Sequence, residues 1–185
     1  MLLFSLVGLS LLFIGISLAY LVNNDNSAWK SIDIPNFFWL STLLIIISSF
    51  VIEKAFKKFF KEENKHYKLW LLSALLLGVL FCITQILGWT QLNSANVSLQ
   101  NNMPSSYLYL ISGLHLIHVL VGIIALVWFT VITVKKTKNS LISFIYFTDP
   151  TQKLRLELLR IYWHFIDLLW LYLIAFFILN KLIFR

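Results

Sequence analysis

Apolar positions along this chain fall in blocks rather than in an alternating pattern. Long runs of Leu, Ile, Val and Phe are separated by short polar stretches. A helix that crosses a bilayer needs roughly 20 mainly apolar residues, since about 30 Å of hydrocarbon is covered at about 1.5 Å per residue. Five stretches reach that length, at about 2–22, 34–56, 69–90, 106–134 and 158–180. All five are predicted to be helical, because an open strand would leave backbone groups unpaired in lipid. Pro35-Asn36 opens the second stretch and Pro104-Ser105-Ser106 the fourth. Proline is tolerated there because the first-turn N–H goes unpaired in any case. The first stretch has no basic residue ahead of its apolar core, and that core is about twice as long as a signal peptide's. It reads as a retained helix. The connections are short, with no linker, repeat or low-complexity tract, so the expectation is one all-α membrane domain covering 1–185.

Composition sharpens this picture. Apolar residues make up 59% of the chain and charged residues 12%, about half the roughly 25% that a soluble domain carries. Aromatic residues reach 16%, the load expected where rings sit at a membrane–water boundary. The net charge of +7 invites a nucleic-acid reading, but that requires a basic face on a folded domain. Here the positive residues lie between apolar runs, and no nucleic-acid partner is expected. Cys82, the only cysteine, can form no intrachain disulfide.

The distribution of these charges sets an orientation. Lys54, Lys57, Lys58, Lys61, Lys65 and Lys68 follow the second stretch, and Lys135, Lys136, Lys138, Lys153, Arg155 and Arg160 cluster before or at the start of the fifth. Only Lys30, Lys181 and Arg185 lie on the other side. Basic loops stay in the cytoplasm, so the N-terminus is expected inside and the C-terminus on the periplasmic side. Loops 23–33 and 91–105 would then face the periplasm.

Ionisable residues at membrane depth are costly unless paired, and mark either function or protein packing. In the fifth stretch Glu157, Arg160, His164 and Asp167 follow one another at spacings of three, four and three. That spacing places them on one helix face and lets successive members meet. Tyr162, Trp163 and Trp170 crowd the same region. His115 and His118 lie one turn apart in the fourth stretch, between Gly113 and Gly122, where a neighbouring helix can approach closely. These residues admit a haem held by His115 or His118 with His164, a zinc or copper site, a proton path, or a polar seam that locks helices and meets a partner or lipid headgroups. Counting from the helix ends puts His118 about 24 Å and His164 about 10 Å from the inner boundary, which separates the histidines in depth. No Cys-x-x-Cys or His-x-x-x-His pattern is present, and no nucleophile–base pair or Gly-rich phosphate loop occurs. No catalytic residue and no metal ligand are expected in this chain.

Two motifs then carry a resemblance. The run Ser112-Gly113-Leu114-His115-Leu116-Ile117-His118 through Gly122 resembles the Gly-x-His-x-x-His stretch of cytochrome c oxidase subunit III. The run Glu157 through Tyr162-Trp163-His164-Phe165-Ile166-Asp167-Leu168-Leu169-Trp170 is similar to that family's Glu…Tyr-Trp-His-Phe-x-Asp-x-x-Trp signature. Ser41-Thr42, Ser48-Ser49, Gln85 and Gly88-Trp89 follow in matching order, and Ala19-Tyr20 is the weakest piece. The resemblance implies a short five-helix form that lacks the first two of the seven helices of longer members. It implies a non-catalytic subunit of a respiratory oxidase in the bacterial inner membrane. Such a subunit holds no cofactor of its own, haem and copper residing in partner subunits. It packs against oxidase subunits I and II and binds phospholipid, with a larger supercomplex as a possible setting. On this reading His115, His118, Glu157, Arg160, Tyr162, Trp163, His164 and Asp167 form the seam. Longer members carry a buried carboxylate on the helix matching residues 1–22, which here contain no acidic residue, so no proton-buffering role carries over. Arg160 stands where the family often has a small or apolar residue. Cytochrome c is the expected electron donor, with quinol the alternative. From other classes, a haem-carrying membrane anchor or a small transporter stays open.

Overall fold

The bundle is built from α1 (Leu2–Val22), α2 (Asn36–Phe60), α3 (Asn64–Ser94), α4 (Met103–Lys136), α5 (Ser140–Thr148) and α6 (Pro150–Ile183). It is seen in a computed structural model that describes residues 2–23, 33–61, 64–97 and 103–183. Lys30 and Arg185 lie outside the described residues, as do most of loop 23–33 and part of loop 91–105. Among the described residues there is no strand. Five of the helices are long and apolar enough to cross a membrane, as the apolar runs predict. The ends differ. α4 and α6 have 34 residues each, about 51 Å, so their ends extend beyond a hydrocarbon core of about 30 Å.

The short α5 and the early start of α6 depart from the sequence expectation, which placed a loop until about residue 158. Local capping explains both. The Asn139 side chain accepts from the Leu141 N–H at 3.2 Å to open α5. Asp149 then ends α5 and starts α6, its Oδ1 accepting from the Thr151 N–H at 2.8 Å, with Pro150 as the first helical residue.

α2 and α3 form an antiparallel hairpin, and α6 lies against α2 and α4. α1 touches α4 and α6 and leaves most of its surface outward. Side chains at the hairpin interface are matched to bare backbone: Phe38 on α2 lies against Gly88 on α3, where an added Cβ would come within 2.4 Å of the ring. At one end an aromatic layer of Phe59, Tyr67, Tyr146 and Phe147 ties α5 to α2 and α3 through edge-to-face contacts. At the other, Lys181 pairs with Asp33 at 2.6 Å, and Asn23 donates to the Tyr107 hydroxyl at 2.8 Å.

Several hydroxyls in the spans are satisfied within their own helices. Ser41 and Thr42 both donate to the Phe38 carbonyl, and Ser112 donates to that of Leu108. Each keeps lone pairs for a donor from another helix. Gln85 Nε2 donates to Ser41 Oγ at 2.8 Å, Trp170 Nε1 to Thr42 Oγ1 at 3.0 Å, and Trp89 Nε1 to Ser112 Oγ at 3.0 Å.

Gly88→Ala is expected to cost about 1–3 kcal/mol, because the ring of Phe38 must be displaced. Gly8→Ala and Gly15→Ala, with nothing within 4 Å of the added carbon, should be close to neutral in the same denaturant titration. The exposed Asp149 carboxyl is held below its ordinary range chiefly by the Thr151 N–H. Because the folded state lowers this pKa, the cap's contribution is present above about pH 4 and is lost as pH falls below it. Amide exchange at Thr151, corrected for its intrinsic rate, should quicken over that acidic interval and stay flat above it.

Candidate functional site

The polar residues of α6 do not form one continuous ladder. They point to three neighbours, and the acidic hub of the charged end comes from another helix. Glu53 on α2 receives Arg160 Nη1 at 3.2 Å and faces His164 Nε2 at 3.6 Å and Lys57 Nζ at 3.7 Å. Glu157 reaches Arg160 more loosely, at 3.9 Å. The Arg160 guanidinium also lies over the Phe56 ring, 4.0 Å from its centroid. The expected pairing of Arg160 with His164 is thus replaced by a shared partner across the helix interface. Side-chain exposures of 32% for Glu53, 26% for Arg160 and 37% for His164 place this cluster on the rim of the bundle.

His164 is oriented by Ser49, whose Oγ shares a hydrogen bond of 2.7 Å with Nδ1. The expected pairing of His164 with Asp167 therefore does not form. Ser49 also approaches the Asp167 carboxyl, yet neither carboxyl oxygen has hydrogen-bond geometry with any described group. Asp167 is buried.

Trp163 occupies the middle of the seam. Its ring packs on bare backbone of two helices: a Cβ added at Gly78 of α3 would lie 3.0 Å from it, and one at Gly122 of α4 would lie 3.1 Å away. Its Nε1 donates to Ser48 Oγ of α2 at 2.9 Å. Gly122 thus provides the flat ground expected of it, whereas Gly113 has only Trp89 nearby, at 4.0 Å. Tyr162 turns to α4, its hydroxyl donating to the His118 carbonyl at 2.9 Å. The His118 ring stays on its own helix, Nδ1 lying 2.6 Å from the Leu114 carbonyl, with Phe13 of α1 against its edge.

His115 lies elsewhere. It is fully buried between Phe81 and Trp170, with ring centroids 5.8 Å and 5.2 Å away, and neither ring nitrogen has a partner among the described residues. His164 faces α2, while His115 and His118 belong to the α4 side, so the three histidines are not brought together. Among the described residues no three His, Cys, Asp or Glu side chains converge in a way that could hold a metal ion. What the arrangement can do is join α2, α3, α4 and α6 through one charged cluster, one indole and a set of hydroxyls.

The sequence matches the family model of cytochrome c oxidase subunit III over residues 5–180. The chain belongs to the cytochrome c oxidase subunit III family. Cytochrome c oxidase subunit 3 of Corynebacterium diphtheriae is 28% identical over 152 residues, covering 79% of this chain and 68% of that protein. Its Synechocystis counterpart is 25% identical over 173 residues, covering 91% of this chain and 69% of that one. Cytochrome bo(3) ubiquinol oxidase subunit 3 of Pseudomonas putida is 26% identical over 136 residues, covering 74% and 61% respectively. As a subunit III, the chain is a multi-pass membrane component of an oxidoreductase complex, with other oxidase subunits as partners.

Sequence reasoning did not find Glu53, Ser48, Ser49 or Gly78 as members of this subunit III seam. Glu53 lies four residues before Lys57 and reads as the mate of that lysine on a solvated helix end. A signal was available: it is the only acidic residue within the second apolar stretch, 34–56.

Glu53→Gln and Arg160→Gln should each destabilise the chain, and a double-mutant cycle should give a coupling of about 0.2–1 kcal/mol. Trp163→Phe, which removes the N–H and much of the indole that packs on Gly78 and Gly122, should cost about 1–3 kcal/mol. Steric-trap unfolding in bicelles measures both, and additive Glu53 and Arg160 effects would contradict the assigned pairing.

Proposed function

We propose that this chain is the accessory, non-catalytic third subunit of a proton-pumping haem-copper terminal oxidase. On this reading it is one membrane domain in a bacterial inner membrane, with its N-terminus in the cytoplasm and its C-terminus on the periplasmic side. It packs against the catalytic subunit I and against subunit II, holds phospholipid, and stabilises the assembled oxidase, which can sit within a larger respiratory supercomplex. Haem and copper reside in the partner subunits. Cytochrome c is the proposed electron donor. The carrying observation is the family match over residues 5–180. It is supported by a seam in which Arg160, Tyr162, Trp163 and His164 tie α6 to α2 and α4. His115, His118, Glu157, Arg160, Tyr162, Trp163, His164 and Asp167 act there as packing and partner-contact residues.

A quinol-oxidising complex is the second reading, favoured by the likeness to the ubiquinol oxidase subunit 3 of Pseudomonas putida. The donor site would lie on another subunit in either case.

A tagged chain purified in mild detergent should bring down oxidase subunits I and II with haem absorbance that belongs to them. Recovery of a colourless chain alone would overturn the assignment. Within the complex, His164→Ala or Asp167→Asn should lower the yield of assembled oxidase several-fold and leave its haem spectrum unchanged. A shifted spectrum would give these residues a place near the haem and contradict the seam role.

A further inference from the structure

A cavity of about 580 Å³ opens at the lysine-rich end of the hairpin. Phe56 and Phe60 of α2 and Trp70 of α3 form its apolar walls, and Lys54, Lys57 and Lys61 stand at its rim beside Glu53. Its volume falls within the roughly 300–1,000 Å³ of ligand clefts. We propose that this cavity seats one anionic phospholipid from the leaflet on the lysine-rich side. Its acyl chain would lie along Phe56, Phe60 and Trp70, and its phosphate at Lys54, Lys57 and Lys61. This deepens the phospholipid part of the reading above and rests on it.

Depth, charge and wall chemistry point the same way. α2 has 25 residues, about 37 Å, against a hydrocarbon core of about 30 Å. Its last turns, which carry Lys54, Phe56, Lys57 and Phe60, therefore reach headgroup level, so the cavity opens where a lipid's phosphate and the first part of its acyl chain lie. The cavity has four lysines in its lining, Lys58 included, against the single carboxylate of Glu53. That carboxylate is already engaged by Arg160 at 3.2 Å, so the lysines present a net positive field. Lys54 Nζ sits 4.7 Å from the Trp70 ring centroid, which joins the cationic rim to the apolar wall. The Lys57 side chain is 68% exposed and only loosely paired with Glu53 at 3.7 Å, so its ammonium can swing toward a headgroup along an apolar stem. A soluble anion would leave the aromatic walls bare, and a zwitterionic lipid would bring no net charge to the rim. An anionic lipid satisfies both.

The test uses the full chain, purified in mild detergent and stripped of lipid, with native mass spectrometry after addition of dioleoyl phosphatidylglycerol or dioleoyl phosphatidylcholine. One phosphatidylglycerol should be retained per chain, at least about tenfold more tightly than phosphatidylcholine, since each ammonium beside an anionic headgroup is worth about fivefold. The triple variant Lys54→Gln/Lys57→Gln/Lys61→Gln should lose that preference, and the corresponding Lys→Arg triple variant should keep it. Lys58, Lys65 and Lys68 remain in both, so the charge bias that orients the hairpin persists. Equal retention of the two lipids by the unaltered chain would overturn the proposal without recourse to any variant. So would a glutamine variant of unchanged preference, or displacement of phosphatidylglycerol by an equal concentration of inorganic phosphate. Because the chain is tested alone, its failure here leaves co-purification with oxidase subunits standing.

Discussion

The bundle is organised around one indole pressed onto glycine backbone. Trp163 of α6 lies close on both Gly78 and Gly122, where an added Cβ would sit 3.0 and 3.1 Å from its ring and force it to shift. Its N–H needs an acceptor, since an unpaired donor at this depth is costly, and Ser48 supplies it. A single residue thereby fixes the spacing of α3 and α4 from α6 by contact and the rotation of α2 by hydrogen bonding. In lipid, where helix association gains little from the hydrophobic effect, such close approach combined with one directed bond is the available way to specify a unique packing.

The neighbouring residues of the signature follow from that fixed point. With Trp163 directed at α2, α3 and α4, Tyr162 is turned to the carbonyl of His118 and His164 to Ser49 and Glu53. Trp170, seven residues on, comes back to α2 through Thr42 and also covers His115. The dense motif is therefore a set of instructions for different helices, written on successive positions of one. The Glu53–Arg160 pair adds an electrostatic closure at the rim, where partial exposure limits its worth to the lower end of ion-pair energies.

Much of the fold was legible because length and apolarity suffice to declare a spanning helix. The family was legible from Tyr162-Trp163-His164-Phe165 and from His115 with His118. The site was less so, for a physical reason. Sequence spacing reports neighbours along one helix, and on that basis Arg160–His164 and His164–Asp167 were natural pairs. The actual partners of His164 lie more than a hundred positions away, and no pattern within α6 encodes them. The early start of α6 was a different kind of miss. Asp149 before Pro150 and Asn139 before α5 are local capping signals, but the polar and charged residues from 149 to 157 masked them when only apolar runs were counted.

The self-satisfied hydroxyls have a consequence for how the protein is made. Ser41 and Thr42 enter the bilayer with their own protons already bonded inside α2, so that helix can wait there alone at little cost. The groups that cannot wait are the N–H donors of Gln85, Trp163 and Trp170, on α3 and α6. Synthesis from the N-terminus delivers the acceptors on α2 before each of those donors leaves the ribosome. For these three bonds the order of translation is also the order in which a polar atom arrives to find its counterpart in place. Among the described residues, Trp89 alone of the inter-helix indoles precedes its acceptor, Ser112, by little more than the length of one helical span.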